Sequence, residues 1–153
     1  MHAMTDHEHG CDIDALNSLL RGEMAAVETY TQALGKFDDL NVIADLQKIR
    51  DEHSKAVREL RDLVIGFAGH PAESAGPWGA FTTAVTTTAK AIGPATVLMA
   101  LVQGEENGIS EYEAALENEH IPSDCQRAIR TDLLPACRKH IEELNRLLGG
   151  MSN

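Results

Sequence analysis

At 153 residues and 16.6 kDa, the chain is long enough for one domain with a sizeable core and leaves little room for two. Apolar residues make up 43% and charged residues 24%, the balance of a globular protein and not of a disordered one. Thirteen Lys and Arg against 24 Asp and Glu give a formal charge of −11, which repels a phosphate backbone and an anionic bilayer alike. Nucleic acid and membrane are thereby set aside as partners, and cations are the ligands that the field attracts.

The chain opens on a biased tract, residues 1–11, with His2, His7, His9 and Cys11. It is expected to be a disordered tail with weak affinity for copper, nickel or zinc. It has neither the basic start nor the apolar run of a signal peptide. Cys11, Cys125 and Cys137 form no disulfide framework. A reducing compartment, the cytoplasm of a bacterium or archaeon, is the expected location.

Residues 12–149 read as four long helices, since aromatics are only 4% and Ala, Leu, Glu and Arg fill the periodic stretches. The first is predicted over Ile13 to Leu34, with Asp12 as N-cap and Gly35 as stop. The second runs from Asn41 to Ala68, capped near Asp38 or Asp39 and ended by Gly69. The third starts at Pro94, a residue suited to a first helical turn, and runs to Glu119. The fourth starts after Ser123, which has capping-box spacing to Gln126, and ends before Gly149-Gly150. Short links join helices one and two and helices three and four, so each pair is expected to be antiparallel. The long crossover between the pairs reads as loop from Pro71 to Gly79, with Trp78 covering one end of the bundle. Ala80 to Ala91 is a candidate short helix. The expected fold is an all-α, up-down-down-up four-helix bundle.

The two halves repeat one another. Leu19-Leu20-Arg21-Gly22-Glu23 matches Leu101-Val102-Gln103-Gly104-Glu105, and the match continues through Tyr30/Tyr112 and Leu34/Leu116. Helices two and four match more weakly, through Leu46/Leu133, His53/His140 and Leu60/Leu147. Each helix carries an apolar stripe in steps of three and four. Each stripe is interrupted near its middle by one ionisable residue: Glu23, His53, Glu105 and His140 in turn. Residues at mid-helix in four antiparallel neighbours meet at one level, so these four are expected to converge inside the bundle.

Two buried carboxylates need neutralising, because an unpaired buried charge costs several kcal/mol. One divalent transition metal, iron, zinc, manganese or copper, would do so with two glutamate oxygens and two histidine nitrogens. Tyr30 and Tyr112 lie two turns along the same faces and could hydrogen-bond the glutamates. Cys137, one turn before His140, is a possible further ligand, with a small buried core residue as the plainer reading. Arg50, three residues before His53, carries the competing reading: a metal-free polar core in which Arg50 and a protonated histidine balance the glutamates. Asp51, Glu52, Glu106 and Glu111 fall off the stripes and read as a solvated face.

At these residues the sequence resembles the ferritin-like superfamily, particularly its rubrerythrin-like branch. The elements Gly22-Glu23…Tyr30 and Gly104-Glu105…Tyr112 look like that branch's first and third helices. It is closer still to a bacterial ferritin-like family of unknown function, through Leu16-Asn17-Ser18-Leu19-Leu20-Arg21-Gly22-Glu23 and Asp51-Glu52-His53. The resemblance covers Asp12 to Leu148 and implies metal or oxidative-stress handling. It also implies a Glu-x-x-His pair on helices two and four. Here those positions read Arg50-x-x-His53 and Cys137-x-x-His140. Two carboxylates in place of four suit one divalent ion and remove the usual support for di-iron oxidase chemistry, so the chain's standing as an enzyme stays open. The alternative function is a non-catalytic structural or interaction bundle, and a homodimer is compatible with either.

Overall fold

The computed structural model describes residues 11–76 and 93–151. Among them are four long helical runs and no strand. The first is α1, Ile13–Leu34, and the second α2, Leu40–Gly66. The third is α3, Pro94–Leu116. The fourth run, 123–151, is unbroken and has three parts: α4 (Ser123–Ala128), a π-helical turn (Ile129–Leu133) and α5 (Leu134–Met151). None of the described helices is long and apolar enough to cross a membrane. The expectations for His2, His7 and His9, for Trp78 and for a short helix at Ala80 to Ala91 lie outside the described residues.

The helix starts follow from local chemistry. Asp12 caps α1, its Oδ1 accepting from the Ala15 amide at 2.9 Å. Asp39 caps α2, accepting from the Asn41 amide at 2.8 Å. Pro94 sits in the first turn of α3, behind Gly93 at φ 99°, a conformation that favours glycine.

Three local expectations are corrected. Ser123 does not cap the fourth run: Pro122 holds that place without a side-chain bond, and Gln126 instead donates to the Asn118 carbonyl at 3.4 Å. Gly149 and Gly150 do not stop the chain's last helix, which continues to Met151. At the end of α2 the left-handed residue is Ala68, at φ 64°, and not Gly69. Gly69 is small for a different reason. A Cβ there would lie 2.8 Å from two side-chain carbons of Ile13, so glycine lets the end of α2 come against the start of α1. Asn17 fastens the same region, donating to the His70 carbonyl at 2.9 Å and accepting from the Ala72 amide at 2.8 Å.

α1 packs along α2, and α3 along the fourth run; α1 also meets α3, and α2 meets α5. The apolar interior falls into two clusters. One contains Leu16, Leu20, Leu60, Val64, Ala115, Ile129 and Leu133. The other contains Ala33, Val42, Leu46, Ile49, Leu98, Leu101 and Leu144. Fully burying one such side chain contributes about 1.5–3 kcal/mol. In every run, one ionisable residue falls between the stretches that feed the two clusters: Glu23, His53, Glu105 and His140 form a polar layer across the middle of the interior.

Candidate metal centre

The polar layer is buried throughout. Glu23 is 6% exposed, His53 5%, Glu105 3% and His140 1%. Each arrives from a different helical run, and the bonds between them are direct. Glu105 sits between the two imidazoles: its Oε2 lies 2.7 Å from His53 Nε2 and its Oε1 lies 3.3 Å from His140 Nδ1. The outward nitrogen of each ring meets a further carboxylate. His53 Nδ1 is 2.5 Å from Glu23 Oε1, and His140 Nε2 is 2.6 Å from Glu52 Oε1. The rings themselves are in contact, with centroids 4.8 Å apart.

The tyrosines complete the layer by crossing between halves. Tyr30, on α1, donates from its hydroxyl to Glu105 Oε2 at 2.6 Å. Tyr112, on α3, donates to Glu23 Oε2. Both are 2% exposed. Burial, and then the carboxylate each touches, raise both phenol pKa values well above 10, so they stay protonated donors.

Electrostatics follow the same geometry. Burial alone would lower the pKa of His53, but Glu105 and Glu23, one on each nitrogen, raise it well above its ordinary value. Burial pushes the Glu105 carboxyl up, and the His53 charge with hydrogen bonds from both histidines outweighs it, holding Glu105 well below the carboxylate range. Without a metal, then, the layer is held by a protonated His53 between two carboxylates.

That arrangement corrects the role expected of Arg50. Its guanidinium turns to the neighbouring Asp51 at 3.4 Å, and its side chain is 29% exposed. It makes no bond to Glu23 or Glu105; the cation on both is His53. Cys137 is buried at 2% exposure, with its thiol pKa raised by burial and then by Glu23 and Glu105. It faces Gly108, where an added Cβ would lie 3.5 Å from its Sγ. It packs as a protonated thiol in the apolar cluster beside the layer.

Glu52 is the residue that the stripes did not single out. It lies one position before His53, about 100° around the helix from it, and the other acidic residues read as a solvated face, Asp51, Glu106 and Glu111, are indeed exposed. Its carboxylate nonetheless reaches across from α2 to the fourth run. The only sequence signal was its place in Asp51-Glu52-His53. By the repeat that pairs His53 with His140, its counterpart is Lys139, so the two halves differ here in charge.

Among the described residues, the group whose ligand atoms come close enough to hold a metal ion is His53, Glu105 and His140, all within 4.8 Å of one another. Glu23 and Glu52 flank that group on its far nitrogens. A carboxylate on the outward nitrogen of a histidine is the usual support of a metal-bound imidazole, because it fixes the ring and strengthens its donor nitrogen.

No curated protein and no solved structure matches the chain. The family described as a domain of unknown function, DUF2383, matches residues 12–118, most of the described bundle, and the chain belongs to that family.

Proposed function

We propose that this chain is a ferritin-like, antiparallel four-helix bundle over residues 12–149 that holds one divalent transition-metal ion at mid-bundle. The observation that carries the reading is the pair of imidazole nitrogens, His53 Nε2 and His140 Nδ1, turned toward one carboxylate, Glu105, with Glu23 and Glu52 behind them. Two imidazoles and a carboxylate suit iron, zinc, manganese or copper. His53, Glu105 and His140 would hold the ion; Glu23 is the ligand or orienting carboxylate of the first half, and Tyr30 and Tyr112 fix the carboxylates. A metal bound there would supply a Lewis acid or redox centre. The chain's own part is to position the donors, exclude water and give up the His53 proton.

The up-down-down-up direction is supported by the clusters. Along α1 the chain passes from the Leu16 cluster to the Ala33 cluster; α2 and α3 pass the opposite way, and the fourth run passes as α1 does. The rubrerythrin-like resemblance rests on the two Gly-Glu…Tyr elements, and a role in metal or oxidative-stress handling rests on that resemblance alone. Free Cys11, Cys125 and Cys137 support a reducing compartment, and a cytoplasmic location rests on that alone.

One observation favours a second reading. The layer is self-satisfied: among the described residues the one buried side-chain atom without a partner is Glu143 Oε1, outside it. A structural bundle with a metal-free polar core, neutralised by His53, would need no ion. The test uses untagged full-length protein with His2, His7 and His9 replaced by alanine, analysed for bound metal and melted with and without iron, zinc, manganese and copper. A ligand bound only by the native state raises its stability by RT ln(1 + [L]/Kd). The metal reading requires about one ion per chain and a rise in Tm that Glu105→Gln removes. A melt unmoved by all four metals decides for the structural bundle.

A further inference from the structure

The buried triad has to be reached from outside, and the two sides of the layer are unlike. Between α1 and α3 the walls are mostly small or apolar: Gly22, Ala26, Leu101, Gly104 and Gly108 line a hollow over Glu23 and Glu105, with Glu111 as the one further acidic residue. Between α2 and the π-helical turn lies a cleft of about 340 Å³ whose floor is Glu23, His53 and His140. Its walls carry Glu52, Glu59 and Asp132, with Lys55 and Lys139 at the rim and Ala136 along one side.

The acidic groups lie along a path. Glu52 is 34% exposed at its side chain, while its carboxylate touches His140, which is 1% exposed. It is the member of the network that spans from surface to layer. Glu59 follows it by seven residues, two turns along the same face of α2. Asp132, on the π turn, lines the same cleft as Glu59, and burial and then Asp132 raise the Glu59 carboxyl above its ordinary value. Single π turns inside α-helices recur at functional sites, where they displace the backbone from its regular ladder. Glu52, Glu59 and Asp132 outnumber Lys55 and Lys139, so the walls are net negative and attract a cation, and their oxygens are the ligands a divalent ion takes in exchange for water.

Resting on the metal reading above, we propose that this cleft is the route by which a divalent cation reaches the buried triad, with Glu59 and Asp132 receiving it at the mouth and Glu52 at the inner end. The route differs from the site in its signature. A path shared by arrival and departure changes both rates in proportion and leaves the equilibrium where it was.

The experiment follows Co²⁺ uptake and release by visible absorbance in stopped flow, on full-length chain with His2, His7 and His9 replaced by alanine. Four proteins are compared: this parent, Glu59→Gln/Asp132→Asn, Ala136→Phe to fill the cleft, and a control, Glu28→Gln/Glu117→Gln. The control removes the same charge from exposed positions elsewhere. The expected result is a tenfold or greater fall in both rates for the two cleft variants, Kd within about twofold of the parent, and parent-like rates in the control. Equal uptake rates in all four proteins would overturn the route while leaving the metal site intact, as would a fall in the control equal to that in Glu59→Gln/Asp132→Asn. A parent that gives no Co²⁺ spectrum, although folded, would overturn the metal reading and the route with it. The double variant replaces side chains at the cleft mouth and keeps the route testable should Ala136→Phe fail to fold.

Discussion

Replacing His53 by leucine tests what neutralises the layer. His53 touches Glu23 at 2.5 Å and Glu105 at 2.7 Å, and all three are at most 6% exposed. After the change Glu23 keeps Tyr112, and Glu105 keeps Tyr30 and His140, but neither keeps the cation. Breaking a buried ion pair from one side costs about 3–5 kcal/mol. Two hydrogen bonds to charged groups, at about 1.5–3 kcal/mol each, give a similar figure by a separate path. For a domain of this size the loss corresponds to a fall in Tm of about 6–20 °C, at about 2–4 °C per kcal/mol. The assay is urea denaturation at pH 7 with chelator present, with Arg50→Met alongside. Among the described residues Arg50 pairs with Asp51 alone, itself 69% exposed, so that variant should change stability by about 1 kcal/mol or less. If His53→Leu matched the wild type while Arg50→Met lost 3 kcal/mol or more, the assignment of the cation to His53 would be wrong.

Tyr112→Phe removes the donor to Glu23 and should cost the metal-free protein about 1.5–3 kcal/mol, measured by the same denaturation; a change below 0.5 kcal/mol would mean that the contact carries nothing. The pH dependence of the metal-free protein has a definite sign. The stability contributed by His53 is complete below its ordinary value of 6.5 and is lost as pH rises through its raised folded value. That contributed by Glu105 is complete above 4.5 and is lost as pH falls toward its lowered folded value. Denaturation midpoints should therefore be highest between these two values and decline toward pH 9; a midpoint that climbed over the alkaline range would contradict the protonated His53. At the end of α2, Gly69→Ala should cost about 1–3 kcal/mol by crowding Ile13, whereas Ala68→Gly should gain up to about 1 kcal/mol by relieving the left-handed backbone. Thermal melts that ranked the two the other way would reverse the roles given to these neighbours.

The helices and the polar layer were legible because both come from spacing along one element. Steps of three and four put Glu23, His53, Glu105 and His140 on buried faces, and the repeat put them at one level. Contacts that depend on reach between elements were not legible. Glu52 lies off the α2 stripe, but a glutamate side chain is long enough to cross to His140. Arg50 sits one turn from His53, close enough in sequence to suggest the same region, yet its side chain turns to Asp51 at the surface. Small residues misled in another way. Gly69 resembled a helix stop, while its smallness serves the approach of Ile13, and the left-handed turn falls on Ala68, which nothing in composition marks.

The crossed tyrosines bear on how the chain assembles. Each phenol answers a carboxylate 75 or 89 residues away, in the opposite half. Neither half can complete its own glutamate by this means: residues 13–66 collapsing alone would pair Glu23 Oε1 with His53 and leave Oε2 without the Tyr112 hydroxyl. That unfilled acceptor favours contact with water until the second half docks. Because the two Gly-Glu…Tyr elements are alike, the first half of a second molecule offers Tyr30 at the place where Tyr112 should arrive. Pairing of two first halves is thus the misassembly to which this symmetry exposes the chain, and it forfeits the bond from Glu52 to His140 that the correct docking makes.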